Sequence, residues 1–158
     1  MRAEFVGEVL ELMKKDEDIF VLLGDLGFGI FDQMRNEFPT RCINIGSSEQ
    51  LMLGMASGMA IEGKKVICYS ITPFLLYRPF EFIRNYLSYE KIPVKLVGSG
   101  RGRDYSEAGF SHHSEEAASI LKLLPAIKCY FPENVDEMKD LVENFINSDE
   151  PSFLSLTR

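Results

Sequence analysis

A chain of 158 residues is long enough for a single domain, 1–158, with a true hydrophobic core; about 70% of the unfolded surface of such a chain is buried without staples. With 24 acidic against 17 basic side chains the net charge is −7, which excludes the clustered positive surface of a nucleic-acid-binding domain. The 3 cysteines, Cys42, Cys68 and Cys129, stand apart in apolar runs, which excludes a disulfide framework or a cysteine metal site and indicates a reducing compartment. The first residues lack the apolar region of a signal peptide, and no apolar run reaches the roughly 20 residues of a membrane span. The expectation is a cytoplasmic protein with no nucleic-acid and no membrane partner.

Residues 2–15 carry Phe5, Val6, Val9, Leu10, Leu12 and Met13 at a helical period. Residues 19–23 form a continuous apolar run, which fits a strand buried on both faces. A glycine-rich loop, 24–29, leads into a short helix over 30–38 that Pro39 ends, and residues 42–45 form a second strand. Next comes Gly46-Ser-Ser-Glu49, where Ser47 or Ser48 suits a helix cap and Glu49 falls in the first turn, which the macrodipole favours for a carboxylate. The helix that follows, to Ile61, is unusual. Leu51, Met52, Leu53, Met55, Met59 and Ile61 leave no polar stripe, and Gly and Ala fill the gaps. A helix apolar all round is expected to be buried on all sides, here with a second subunit covering part of it.

Residues 66–70 form a third strand, and 72–78 an aromatic-rich connection. Pro79 suits the first turn of a helix to about Tyr89. A fourth strand spans 93–97, and a long loop with glycines at 98, 100, 102 and 109 runs to His113. A helix from Ser114 to near Leu124, a strand over 127–131, an amphipathic helix over 134–147 and a strand over 152–156 complete the chain. Strands alternating with helices predict an α/β three-layer sandwich with a mainly parallel six-stranded sheet. Such sheets take ligands at the carboxyl ends of their strands. The loops 24–29, 46–49, 71–78 and 98–113 all follow strands, so they converge on that edge.

Glu49 is the carboxylate at the mouth of the apolar helix, and it can share a proton with a ligand there. His112 and His113, the 2 histidines of the chain, lie in the long glycine loop, where an imidazole exchanges protons near neutral pH. Two adjacent histidines without further ligands make a poor metal site. Phe74, Tyr77 and Phe80 recur every third residue between the third strand and the next helix, suitable either for packing or for stacking a heteroaromatic ring. Gly24-Asp-Leu-Gly-Phe-Gly29 is not G-x-G-x-x-G, and no Gly-Lys-Ser/Thr occurs, so both nucleotide-loop fingerprints fail.

Taken together, these stretches resemble the pyrimidine-binding domain of the transketolase group of thiamine-diphosphate enzymes. The likeness covers nearly the whole chain. Ile45-Gly-Ser-Ser-Glu49-Gln is similar to the family segment that holds the cofactor glutamate. Gly24-Asp25-Leu26 resembles the transketolase Ala-Asp-Leu turn. Phe74-Leu-Leu-Tyr77-Arg-Pro-Phe80 resembles the aromatic run in which the residue matching Tyr77 stacks on the aminopyrimidine and those matching Phe74 and Phe80 line its pocket. Glu107-Ala-Gly-Phe-Ser-His112 resembles the loop of the active-site histidine, and Arg158 matches an arginine that binds substrate phosphate. Where transketolase has an Asp four residues before that histidine, this chain has Ala108; where it has a His twelve before, this chain has Gly100. Those two groups grip sugar hydroxyls in the family, and Arg101 and Arg103 are candidates for other anion contacts.

The resemblance implies the pyrimidine-binding subunit of a split transketolase-like enzyme that transfers a two-carbon ketol unit. Glu49 and His112 would be catalytic. Glu49, Asp25, Leu26, Phe74, Tyr77 and Phe80 would bind thiamine diphosphate, and His112, Arg158, Arg101 and Arg103 the sugar or oxoacid substrate. No Gly-Asp-Gly motif occurs, so a partner subunit is expected to hold the diphosphate and Mg²⁺, with a self-dimer of this chain inside a four-chain complex. The alternatives are a beta-like subunit of a two-oxoacid decarboxylase or dehydrogenase, and a non-catalytic module that keeps the fold.

Overall fold

The computed structural model describes residues 1–158. In chain order the elements are α1 (Arg2–Lys15), β1 (Ile19–Leu23), α2 (Asp32–Glu37), β2 (Cys42–Asn44), α3 (Glu49–Ile61) and β3 (Lys65–Ile71). Then come α4 (Thr72–Tyr77), α5 (Phe80–Phe82), a π-helix (Ile83–Tyr89), β4 (Lys95–Ser99), two 3₁₀ turns (Ser106–Ala108 and Phe110–His112), α6 (Ala117–Leu121), β5 (Lys128–Tyr130), α7 (Val135–Asn147) and β6 (Ser152–Leu156). The six strands form one sheet in the order β2-β1-β3-β4-β6-β5, and every pairing is parallel.

Successive strand residues point to opposite faces, so each central strand feeds two cores. Val21, Leu23, Ile67, Tyr69, Val97 and Leu154 face α1 and α7, where they meet Phe5, Val9, Met13, Met138 and Phe145. Leu22, Val66, Cys68, Leu96 and Phe153 face the other side and meet Met52, Leu53 and Ala56 of α3 with Leu75 and Leu76 of α4. This two-sided burial explains why the strands read as continuous apolar runs rather than alternating ones. Local signals agree: Asn134 caps α7 by accepting the Glu137 N–H at 2.9 Å, and its side-chain amide donates to Glu137 Oε1 at 2.8 Å.

The chain leaves β1 outward through α2, whose Met34 joins the α1/α7 core. It leaves β3 through α4, whose Leu75 and Leu76 join the opposite core. Neighbouring strands β1 and β3 therefore send their connections to opposite faces, which opens a crevice at their carboxyl ends, the usual ligand position of such sheets.

Helix α3 is covered on one side only within the chain, the other side being the one expected to meet a second subunit. It buries Met52, Leu53, Ala56 and Ala60 against the sheet, but Leu51, Met55 and Ile61 are 57%, 36% and 68% exposed, because within one chain only one side of the helix has anything to pack on. Three other expectations change. No serine side chain caps α3; Ser48 occupies the N-cap without a side-chain hydrogen bond to the helix. The aromatic connection is itself a helical turn, α4, and Pro79, which has no N–H, separates it from α5. The expected helix to Tyr89 continues as a π-helix, a geometry that no propensity scale anticipates.

Candidate functional site

Glu49 opens α3 at the crevice between β1 and β3, and it is 1% exposed. A buried carboxylate needs partners. It has two: the Ser70 hydroxyl, from the end of β3, donates to Oε1 at 2.9 Å, and the Arg78 guanidinium donates to Oε2 at 2.7 Å. Gly24, at the end of β1, makes room for this arrangement. A Cβ at residue 24 would lie 2.8 Å from Ser70 Oγ and 3.1 Å from Glu49 Oε1. The Arg78 guanidinium carbon also sits 3.9 Å from the centroid of the Phe74 ring, so the cation is stacked on an aromatic face while it pairs with the carboxylate.

Phe74 joins the carboxylate to the histidine loop. The His112 ring meets it edge-on with centroids 4.9 Å apart. Ser111 Oγ lies 3.1 Å from His112 Nδ1, which leaves Nε2 as the nitrogen available for exchange with a ligand. Phe80 is half-buried against the α3/α4 core. Tyr77 packs on that same core, and its hydroxyl is buried with no hydrogen-bond partner. Burial pushes the Tyr77 phenol well above its ordinary range, and the nearby Glu116 carboxylate acts in the same direction. Phe74 thus presents its ring to the guanidinium that pairs with Glu49, whereas Tyr77, the residue expected to stack on the pyrimidine, packs on the α3/α4 core.

Asp25 adopts a left-handed conformation, φ 56°, and Leu26 packs against the α1/α7 core. Asn44, at the end of β2, ties Asp25 to the glutamate loop. Its Oδ1 accepts from Asp25 N and from Gly46 N, each at 3.0 Å, and its Nδ2 donates to Asp25 Oδ1 at 3.0 Å.

The long loop is ordered by Asp104 and Tyr105. Asp104 Oδ2 accepts the backbone N–H groups of Arg101 and Arg158, both at 3.0 Å. The Tyr105 hydroxyl lies 2.7 Å from Ser99 Oγ and accepts from Arg2 Nη1 at 3.0 Å. The Tyr105 ring centroid lies 6.3 Å from that of His112 and 5.4 Å from the Arg158 guanidinium carbon, so one phenol neighbours both the imidazole and an exposed cation. The ring also packs on Gly100, where any Cβ would collide with it. Arg101 is held in the fold: its guanidinium donates to Ser155 Oγ at 3.2 Å, Ser155 O at 2.9 Å and Pro132 O at 3.0 Å. Arg103 is exposed and pairs with Glu115 at 2.8 Å. Of the three candidate anion ligands, Arg158 is the exposed one that lies over the Tyr105 ring.

Sequence reasoning passed over Ser70, Arg78, Asn44, Asp104 and Tyr105. Ser70 and Asn44 could have been found, since both end strands that deliver the chain to the ligand edge.

A parallel α/β domain with a buried carboxylate at its topological switch point, an aromatic ring beside it and a histidine loop opposite belongs to the class that binds organic cofactors at the carboxyl ends of its strands. The transketolase pyrimidine-binding domain model matches residues 1–158, and the chain belongs to that family, whose enzymes use thiamine diphosphate. It is 33% identical over its full length to a protein of Methanocaldococcus jannaschii named as a transketolase C-terminal section, 50% of which it covers. It is 28% identical to one of the subunits of the apulose-4-phosphate transketolase of Phocaeicola vulgatus, with 99% of this chain and 51% of that protein aligned. A solved structure described as a split gene transketolase, an inactive beta4 tetramer, superposes with a TM-score of 0.86 at 26% identity, covering 99% of this chain and 50% of that one. The chain spans about half the length of the curated relatives it matches.

Proposed function

We propose that this chain is the pyrimidine-binding part of a transketolase-like enzyme that transfers a two-carbon ketol unit and works with a diphosphate-binding partner that also holds Mg²⁺. The observation that carries this reading is Glu49, a buried carboxylate at the switch point whose outer oxygen already meets a planar N–H donor stacked on Phe74. The site fits an aminopyrimidine ring, which is a planar N–H donor of the same kind, and the absence of a side chain at Gly24 keeps Ser70 and Glu49 in register. When bound, thiamine diphosphate supplies a nucleophilic carbon that carries the two-carbon fragment.

The residues then divide the work. Glu49 Oε2 holds a proton on the ring nitrogen, and the Ser70 hydroxyl fixes the orientation of the carboxylate through Oε1. Phe74 supports the ring, with Tyr77 and Phe80 behind it as the wall. Asp25 and Leu26 shape the adjacent turn. His112 Nε2 gives and takes protons at the oxygen atoms of the substrate. Arg158 attracts a phosphate or carboxylate on the substrate; Arg101 ties the loop that carries Tyr105 to Ser155 of β6, and Arg103 contributes at the rim. The exposed apolar stripe of α3 supports burial against a second copy of this chain inside a larger complex, in the cytoplasm.

A two-oxoacid substrate remains a second reading because Ala108 and Gly100 lack the side chains that grip sugar hydroxyls in transketolase. The test is donor profiling of the chain reconstituted with its diphosphate-binding partner, ketose phosphates against pyruvate-like acids. Turnover of ketose phosphates that disappears in Glu49→Gln, with assembly retained, is the expected result. Normal turnover in that variant removes Glu49 from the mechanism, and turnover of oxoacids alone selects the second reading. In the same assay His112→Ala lowers kcat more than it weakens cofactor binding.

A further inference from the structure

Arg78 forms a contact that the proposed reaction does not require. Its guanidinium is flat, carries N–H donors along its edge, pairs with Glu49 Oε2 at 2.7 Å and stacks 3.9 Å from the Phe74 centroid. Those are the two contacts that define a place for an aminopyrimidine: an N–H directed at the carboxylate and a π face against the aromatic ring. One face of the Phe74 ring cannot carry both groups at once, so a pyrimidine stacked there takes the place of the guanidinium. The carboxylate is fully buried while the Arg78 side chain is 45% exposed, so the cation enters from the solvent side and can leave by rotation of its own side chain, with no movement of the sheet or of α3. Pro79 follows directly and fixes the backbone, which keeps the arginine anchored beside the mouth after its head has left.

We propose that Arg78 is an internal ligand of the pyrimidine site, a latch that satisfies the buried carboxylate when no cofactor is present and must be displaced when one binds. The proposal rests on the pyrimidine reading of the site. Its physical rationale is that a buried carboxylate left without a partner is more costly than one paired with a cation that keeps its outer side in solvent. Binding is then an exchange. The apparent affinity for a pyrimidine is reduced by the fraction of molecules in which Arg78 has already swung out.

The test uses the whole chain and 4-amino-2,5-dimethylpyrimidine, a neutral probe with the ring and neither phosphate nor positive thiazolium, titrated by NMR. Arg78→Gln keeps most of the stem and removes the charge and the planar fork. It is expected to bind the probe on the order of tenfold more tightly than the wild-type chain. Arg78→Lys keeps the charge without the flat stacking surface and falls between the two, which guards against a folding defect in any one variant. Adding Glu49→Gln to each background abolishes binding. Equal affinity in wild type and Arg78→Gln, with loss of binding in Glu49→Gln, overturns the latch and leaves the pyrimidine site standing. Binding that ignores Glu49, or none in any variant, overturns the site and the latch together.

Discussion

Asn44 and Asp25 exchange two hydrogen bonds of 3.0 Å, and the oxygen of the same amide also accepts the Gly46 N–H. One side chain at the tip of β2 thereby fixes the loop after β1 and the loop that leads to Glu49. Asn44→Ala removes all three bonds and is expected to cost about 1–2 kcal/mol, since the groups are partly solvated. Asn44→Asp is expected to be worse, because it replaces the donor with an acceptor facing the Asp25 carboxylate. Urea midpoints of the two variants order them; an Asp variant more stable than the Ala variant contradicts the pairing.

Gly24 is small because Ser70 and Glu49 occupy the space where its Cβ would be. Gly24→Ala is expected to lower stability by about 1–3 kcal/mol through overpacking. The strain falls on Ser70, so Gly24→Ala with Ser70→Gly is less destabilised than the sum of the single changes. A double-mutant cycle of thermal midpoints gives the sign; strict additivity places the strain elsewhere.

Lys95 is a buried lysine at the start of β4. Its ammonium donates to Ser148 O, Ser148 Oγ and Glu150 O at 2.5 to 2.8 Å. Burial pushes its pKa down from 10.5 to about 8. Below pH 8 the group is charged in both the folded and the unfolded chain. Between pH 8 and 10.5 the unfolded chain holds the proton that the folded chain has released, so this residue makes stability rise with pH, by up to about 3 kcal/mol. Cys42, pushed up to about 11 by burial, and Cys68, pushed up further, contribute slopes of the opposite sign as they approach ionisation. Subtracting the urea-unfolding profile of Lys95→Met isolates the lysine; a flat difference between pH 8 and 10.5 excludes the shift.

Leu51, Met55 and Ile61 form the uncovered apolar side of α3. Beside them Gly54, Ser57, Gly58, Phe82, Tyr86 and Ile92 line a groove of about 250 Å³. Leu51→Lys combined with Ile61→Lys is expected to reduce the mass measured by sizing with light scattering and to leave the helical circular-dichroism signal unchanged, because neither side chain supports the core. A wild-type chain that is already monomeric, or an unchanged mass in the double variant, removes this face as an interface.

The sheet was legible because buried parallel strands announce themselves as unbroken apolar runs, and the ligand edge because each unusual loop follows one of them. Glu49 and His112 stood out by residue type and position. Asn44 and Ser70 could be marked by their places near strand ends, though not their partners; Asp104 and Tyr105 gave no signal, since they act through hydrogen bonds to Arg158 and Arg2, distant in the chain, and no local pattern encodes such pairings. Helix α3 shows the opposite limit: its composition signals burial, but a sequence does not distinguish burial against its own sheet from burial against something else. The π-helix over residues 83–89 was invisible because its residues suit an ordinary helix equally well.

The contact between Gly100 and Tyr105 links two choices that a sequence makes separately. Gly100 has φ +84°, and the phenol ring fills the space its side chain would need. A relative that carries a histidine at residue 100 cannot also keep this ring, and one that loses the ring leaves Ser99 and Arg2 without their shared partner. The two sites are therefore bound to drift as a pair. Among descendants of a common ancestor, glycine with tyrosine and a large residue with a small one should be the combinations that survive, and single replacements at either site should be selected against.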